Sequence, residues 1–480
     1  MSIPEFEYTS TGLVRELAIA LHTNVPTHDD WAESLACCLI GTMTGMERRI
    51  VTNFGNIYAN VFTIYVGASG LSFKTVPLIK LARPILKELT KISNQTTCEE
   101  HGISLEQYTD LVESIDNATS IEKRTTAWQL RKQQLKILQQ NFEDFVGPQK
   151  FSSEFLITWL NQHPQCMIVS DEYTKMFKGA KTKDYLSDNM EDLSRLYDCD
   201  MEKVGTQSRG IENPDKAFVS FCSATTYYLL TMMNDDFFIQ GTGNRILWIF
   251  DDLRQEIDIE AALIESNFFW GINESHEFDE QIKLLAQKLY IIRSLPEGVI
   301  PFDPDAGVIL DRYRLTKYNE AVKHFNIDLL DKDANLIARL AQNAMKLALT
   351  HCIGRYAELQ YNGDPVLSMS VSKHDVTWAI QKMEKHLQHY LTMKDVASRV
   401  RNTTARSYAT DYDRVVYIIK KFKQGGETTT KTRIMQQTRW NSEETAKILA
   451  SMTEANLIRE VEKLMGVRSI ITYDLPISNS

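Results

Sequence analysis

No stretch of the chain approaches the roughly 18 uncharged apolar residues that a membrane-spanning helix needs, and Glu5 and Glu7 interrupt any signal-peptide reading of the first residues. The seven cysteines are an odd number without a C-x-x-C pair, so the sequence indicates neither a disulfide framework nor a zinc ribbon. Glycine (21) and proline (12) are too scarce for collagenous or linker-rich architecture. A net charge of −10 argues against a surface coated for nucleic acid. What remains is an ordinary globular chain of 480 residues, 43% apolar and 24% charged. At roughly 150 residues per domain that length accommodates about three domains. A reducing, cytoplasmic or nucleoid-associated setting is expected.

The average charge hides an asymmetry. Between Ser398 and Asn441 ten basic residues, including Arg399, Arg401, Lys420, Lys421, Lys431, Arg433 and Arg439, face three acidic ones, a local +7. A polyanion partner is therefore expected there and not elsewhere.

Hydrophobic spacing divides the chain into an N-terminal helical region (1–58), an α/β core (59–255) with a polar helical insertion at about 94–145, a helical region (256–398) and a small C-terminal domain (399–480) that begins with a polar linker, Arg399–Asp413. Within the core, VFTIYV (61–66) reads as a strand, breaks into Gly67-Ala-Ser69-Gly70, and is followed by helical spacing from Val76. CMIVS (166–170), AFVSFC (217–222) and RILWIF (245–250) are further short apolar runs bounded by polar turns, as buried strands of a mostly parallel sheet require.

Strand, glycine loop, helix is the context of a phosphate-cradling P-loop. Backbone N–H groups of a loop containing Gly67, Ser69 and Gly70 would converge on phosphates, Lys74 would neutralise them, and the Thr75 hydroxyl would hold Mg²⁺. The usual form is G-x-x-x-x-G-K-[ST]; here the interval from Gly67 to Lys74 is one residue longer and Phe73 replaces the second glycine. A plain glycine turn beside a solvated lysine is the alternative. The run ending in Asp171-Glu172 has the form of a Walker B element, with Asp171 holding the Mg²⁺ water shell and Glu172 deprotonating the attacking water. The alternative is a solvated acidic turn. Ser223-Ala-Thr225-Thr226 offers sensor hydroxyls, or equally a helix N-cap, and Arg245 follows about twenty residues later.

The order of GASGLSFKT, IVSDE, NPDKAFVSFCSATT and FFIQGTGNRILWIF resembles the P-loop, Walker B, sensor and arginine-finger segments of uncharacterised helicase-like ATPases carried by plasmids, viruses and other mobile elements, a family related to the helicase half of primase-helicases. Some members have a stretched loop, G-x-S-x-x-x-R-K-[ST]; Phe73 departs from it by replacing the basic residue. The resemblance covers residues 25–255. It implies an AAA+/RecA-like P-loop NTPase core, Mg²⁺ and ATP, self-association into a ring, a hexamer, and action on single-stranded or forked DNA in replication of a mobile element. By position, Lys74, Thr75, Asp171, Glu172, Thr225 and Arg245 would be the ATPase residues, with Arg245 reaching a neighbouring subunit. An ATP-binding switch that assembles on DNA or protein without unwinding is the rival reading, and a degenerate P-loop scaffold, for which Phe73 is the main evidence, is a third.

Helices beyond the core are expected to form a lid, from which Arg339 would act as a second nucleotide sensor unless it simply occupies a solvated helix face. His386 and His389 share a helical face with no third ligand suggested, and read as surface histidines. In the last 70 residues, Arg414–Lys423, Lys431–Thr438 and Asn441–Asn456 read as short helices, and Leu457–Lys463 and Ser469–Tyr473 as a β pair, together a winged helix-turn-helix with Ser442–Ala455 as recognition helix. Glu443 and Glu444 at its start suit DNA phosphates poorly, so protein docking stands as the alternative to DNA contact.

Overall fold

A computed structural model describes residues 9–24, 27–53, 55–68, 74–119, 123, 125–149, 151, 153–173, 185–201, 204–206, 210–212, 214, 216–227, 229, 243–251, 276–324, 332–407, 411–424, 428–438, 440–454, 457–465 and 468–474. The fold is mostly helical around a small parallel sheet, and no described helix is long and apolar enough to cross a membrane. The chain divides into two compact units, Met1–Met393 and Lys394–Ser480.

The strands run in chain order as β1 (Arg48–Thr52), β2 (Gly55–Tyr58), β3 (Phe62–Val66), β4 (Gln165–Ser170), β5 (Val204–Thr206), β6 (Gly210–Glu212), β7 (Phe218–Thr225), β8 (Leu247–Phe250), β9 (Gly298–Val299), β10 (Thr429–Thr430), β11 (Arg459–Met465) and β12 (Arg468–Asp474). The central sheet has the order β4-β7-β3-β8, every pairing parallel. β3, β7 and β8 are buried at every position and carry no charged residue, as a sheet covered on both faces requires: Tyr65 of β3 packs on Trp31 of the Asp29–Thr44 helix and Phe62 on Tyr197 of the Tyr185–Asp198 helix. A hairpin of β1 and β2 with β9, and a second hairpin of β5 and β6, lie outside this sheet. Neither was anticipated, because strands of two to five residues leave too little alternation to read.

The Asp29–Thr44 helix starts at His28, whose side chain accepts from Asp30 N, and carries Asp29 and Asp30 in its first turn, where carboxylates suit the helix dipole. It is buried almost throughout, and a Cβ at Gly41 would lie 2.3 Å from the Ala59 carbonyl oxygen, so only glycine allows this approach to the start of β3. The segment after the glycine loop begins with a π-helical turn, Leu78–Ala82, that leads into the Arg83–Glu100 helix. Pro84 accounts for it: proline has no N–H to give the Lys80 carbonyl and its ring crowds that oxygen, so the turn widens and Arg83 N bonds Leu78 O instead. The expected insertion comprises the Leu105–Asp116 and Thr126–Asn141 helices, largely exposed, the former opened by a Ser104/Gln107 capping box.

The second half of the first unit holds the His276–Tyr290, Pro304–His324 and Lys332–Tyr361 helices and the start of the Lys373–Ser407 helix, which continues past Met393. The last of these corrects the linker expectation: Arg399–Ser407 is helical, and residues 408–410 lie outside the described residues. In the second unit the Asp411–Gln424, Lys431–Thr438 and Ser442–Glu454 helices pack on an antiparallel sheet of order β10-β12-β11, around Val415, Ile419, Ile434, Leu449 and Met452.

Candidate functional site

In parallel sheets ligands bind outside the carboxyl ends of the strands, where neighbouring strands send their connections in opposite directions. β3 and β7 are such a pair, since the chain leaves β3 toward β4 on one side and leaves β7 toward β8 on the other. At this edge Gly67 N donates to Thr225 O (3.1 Å), Lys74 Nζ donates to Gly67 O (2.8 Å) and Thr225 Oγ1 donates to Glu172 Oε1 (2.8 Å). Tyr173 N bonds Ala224 O (3.0 Å), which fastens the residue after Glu172 to the same strand. Lys74 is only 7% exposed and Thr225 is fully buried. Burial holds the Lys74 ammonium below its ordinary value, while Glu172 and Asp251 act in the opposite sense.

The structure thus brings Gly67, Lys74, Glu172 and Thr225 together. Thr75 begins the following helix, its carbonyl accepting from Ile79 N (3.1 Å), and Asp171, half-buried, directly follows β4. Ser69 and Gly70 lie outside the described residues. Thr225 is the last residue of β7, which continues three residues beyond Cys222; the YYLLTMM segment that the hydroxyls would cap lies largely outside the described residues.

Asp251 and Tyr65 belong to the same edge and were not singled out from sequence. Asp251 N bonds Val66 O (2.9 Å), and its carboxylate accepts from Tyr65 OH (3.0 Å). Their signal was available in principle, as the first polar residue after a buried strand and an aromatic inside one.

Arg245 and Arg339 are not brought to this cluster. Arg245 sits in a short 3₁₀ turn before β8, six residues ahead of Asp251, hence roughly 15–20 Å away along the strand direction, at its amino end. There it makes a two-pronged contact with Asp198 Oδ2 (3.1 and 2.6 Å), and Arg339 approaches Asp198 Oδ1 at 3.7 Å. The helix that carries Arg339 is placed away from this cluster for the same reason. The Lys332–Tyr361 helix reaches the amino edge of the sheet, with Asn343 bonding Asn244 O, Lys346 bonding Asn60 and Thr350 bonding Ala59 O. Arg339 borders a cavity of about 690 Å³ at that edge, with Arg314, Asp198 and Lys346.

His386 and His389 are not surface residues. His386 is buried between Trp248 O (3.0 Å) and Ser34 Oγ (3.4 Å), and its pKa is pushed down to about 4 by burial. His389 contacts Asp30 Oδ2 at 3.0 Å.

In the second unit Lys420 and Lys421 are exposed, whereas Arg433 is held by Thr428 O (2.9 Å) and lies over the Phe422 ring, and Lys431 is half-buried. Arg399 and Arg401 lie on a helix whose side chains are not described there, and Arg439 lies outside the described residues. Glu443 pairs with Lys447 (2.9 Å).

Compared with known proteins, the chain matches no family profile and none of the curated proteins.

Proposed function

We propose that this chain is a Mg²⁺-dependent ATPase with a P-loop core of the AAA+/RecA-like kind, and that it works as a ring-forming, helicase-like DNA motor. The observation that carries this reading is the convergence of Lys74, Glu172 and Thr225 through Gly67 at the carboxyl edge of a parallel sheet. A buried amine, a carboxylate fixed by a buried hydroxyl, and the first turn of a helix are the groups that a nucleoside triphosphate and its metal require.

In this reading Lys74 exchanges Gly67 O for phosphate oxygens of the substrate. Glu172 accepts the proton of the attacking water, and Thr225 Oγ1 holds that carboxylate in place. Mg²⁺, when bound, supplies neutralisation of phosphate charge, and Thr75 and Asp171 are the residues that would hold it. The C-terminal unit, read as a winged helix, contributes DNA contacts through Lys420 and Lys421. A role in replication of a mobile element rests on the resemblance of the motif order alone.

One observation favours a second reading, an ATP-binding switch. The Lys74 ammonium is satisfied by its own loop carbonyl, so nucleotide binding has to open that contact before it can change anything else. Measuring ATP turnover with and without single-stranded DNA, together with strand separation on forked DNA, distinguishes the two. Glu172→Gln should bind ATP normally and lose roughly 10²–10⁴-fold in turnover. Wild-type turnover in that variant would remove the assignment.

A further inference from the structure

Among the described residues, two groups of histidines and a carboxylate have potential ligand atoms within 4.8 Å of one another. In the first, His351, His374 and Asp375, the polar atoms are already committed. His351 Nδ1 faces Asp375 Oδ1 (2.7 Å), its Nε2 accepts from Thr11 N (3.0 Å), and Asp375 Oδ2 takes Arg355, Ser372 N and Ser372 Oγ. That is a packing network. In the second group, His28, Asp30 and His389, the contacts of the ligand atoms run within the trio, from His28 Nδ1 to Asp30 N and from His389 Nε2 to Asp30 Oδ2, and one member reaches the surface.

His28 is exposed at the start of the Asp29–Thr44 helix, and its Nδ1 accepts from Asp30 N (3.2 Å), so that nitrogen carries a lone pair and not a proton. Lys382 Nζ occupies Asp30 Oδ1 (3.0 Å) and also contacts Glu33, which balances its charge and leaves Oδ2 to the histidines. His389 is held in reach because the helix that carries it is anchored one turn earlier by buried His386. Asp30 Oδ2 lies 3.0 Å from His389 Nε2 and 3.8 Å from His28 Nδ1. Ligands about 2.0–2.2 Å from a tetrahedral ion stand roughly 3.4 Å apart, between those two values.

We propose that His28, Asp30 and His389 form a site for a divalent transition metal of the zinc class. Two imidazoles and one carboxylate select such ions over Mg²⁺, and three protein ligands leave a fourth position for water or another ligand. The ion takes the place of the hydrogen between His389 Nε2 and Asp30 Oδ2, the displaced proton moving to His389 Nδ1 or to solvent. It also replaces the His28 contact with Asp30 N. Exposed His28 provides the way in. The site joins the beginning of the first unit to its last helix and does not depend on the ATPase reading.

Equilibrium dialysis of the full-length chain against Zn²⁺, with Co²⁺ as a spectroscopic probe, tests the proposal. Wild type and the His374→Ala control should each hold one Zn²⁺, give the absorption of a four-coordinate N/O cobalt site, and melt at higher temperature with Zn²⁺. His28→Asn and His389→Gln should each lose about 100-fold or more in affinity, and with it the thermal shift. Asparagine keeps a helix-cap acceptor for Asp30 N, the contact His28 makes, so His28→Asn should leave the metal-free melting temperature near that of wild type, and loss of binding there is not loss of fold. Equal binding by all four proteins, absence of stoichiometric binding by wild type, or a loss confined to His389→Gln would overturn it.

Discussion

Lys346 offers a test of the electrostatics at the amino edge of the sheet. The side chain is 3% exposed; its ammonium donates to Asn60 Oδ1 (2.6 Å) and Tyr197 O (2.7 Å) and lies 3.9 Å from the Tyr197 ring centroid. Burial pushes its pKa down to about 8 from 10.5, with Cys199 and Asp198 resisting and Arg245 and Arg339 adding to the shift. A difference of about 2.5 units at 1.36 kcal/mol each corresponds to a penalty of about 3 kcal/mol for the charged form. Below pH 8 the folded protein carries that penalty in full. Between the folded and the unfolded pKa the unfolded chain remains protonated while the folded one does not, so stability rises with pH and the penalty is gone above the unfolded value. Urea unfolding of wild type and Lys346→Met at about pH 7.5 and about pH 9.5 isolates this group. The stability difference between the two proteins should move by about 2 kcal/mol in favour of wild type over that interval. A difference that does not change with pH would mean the amine keeps its ordinary pKa, and the account of that edge would be wrong.

Two further outcomes are expected. Replacing Lys420 and Lys421 together by alanine should weaken single-stranded DNA binding and reduce the slope of log affinity against log salt by roughly 1.4, two contacts at about 0.7 each on a single strand; an unchanged slope in filter binding would reassign the C-terminal unit to protein docking. For Arg245, mixing Arg245→Ala with Glu172→Gln subunits should restore part of the ATP turnover if the guanidinium serves a neighbour's site; a mixture no more active than either variant, with co-assembly confirmed, would leave Arg245 with contacts inside its own chain, such as that to Asp198.

The elements that place the candidate site were legible because their signals are local. VFTIYV before Gly67, CMIVS before Asp171 and AFVSFC before Ser223 are each short apolar runs that end in small or charged residues, and all three lie within or overlap strands of one parallel sheet. What sequence did not supply is the third dimension. Order along the chain groups Arg245 and Arg339 with the residues expected to hold nucleotide, yet Asp198, which gathers them, comes from the Tyr185–Asp198 helix and carries no mark in sequence. His389 read as exposed because its partners, His28 and Asp30, lie more than 350 residues earlier. The Lys332–Tyr361 helix read as a lid because amphipathic spacing shows that a face is buried without showing what buries it.

The widened turn at Leu78–Ala82 has a consequence for angular phase. Each residue of an α-helix advances the side-chain direction by about 100°, so an uninterrupted helix would tie the azimuth of its first turn rigidly to every later one. Ile85, Leu86 and Leu89 are fully buried and fix the later part. The extra width imposed by Pro84 breaks that tie before they are reached. The direction in which Thr75 and the first turn face is therefore offset from the one that an unbroken α-helix would impose on it from the stripe behind, and Leu78, Leu81 and Ala82, buried within the widened turn, hold that offset in place.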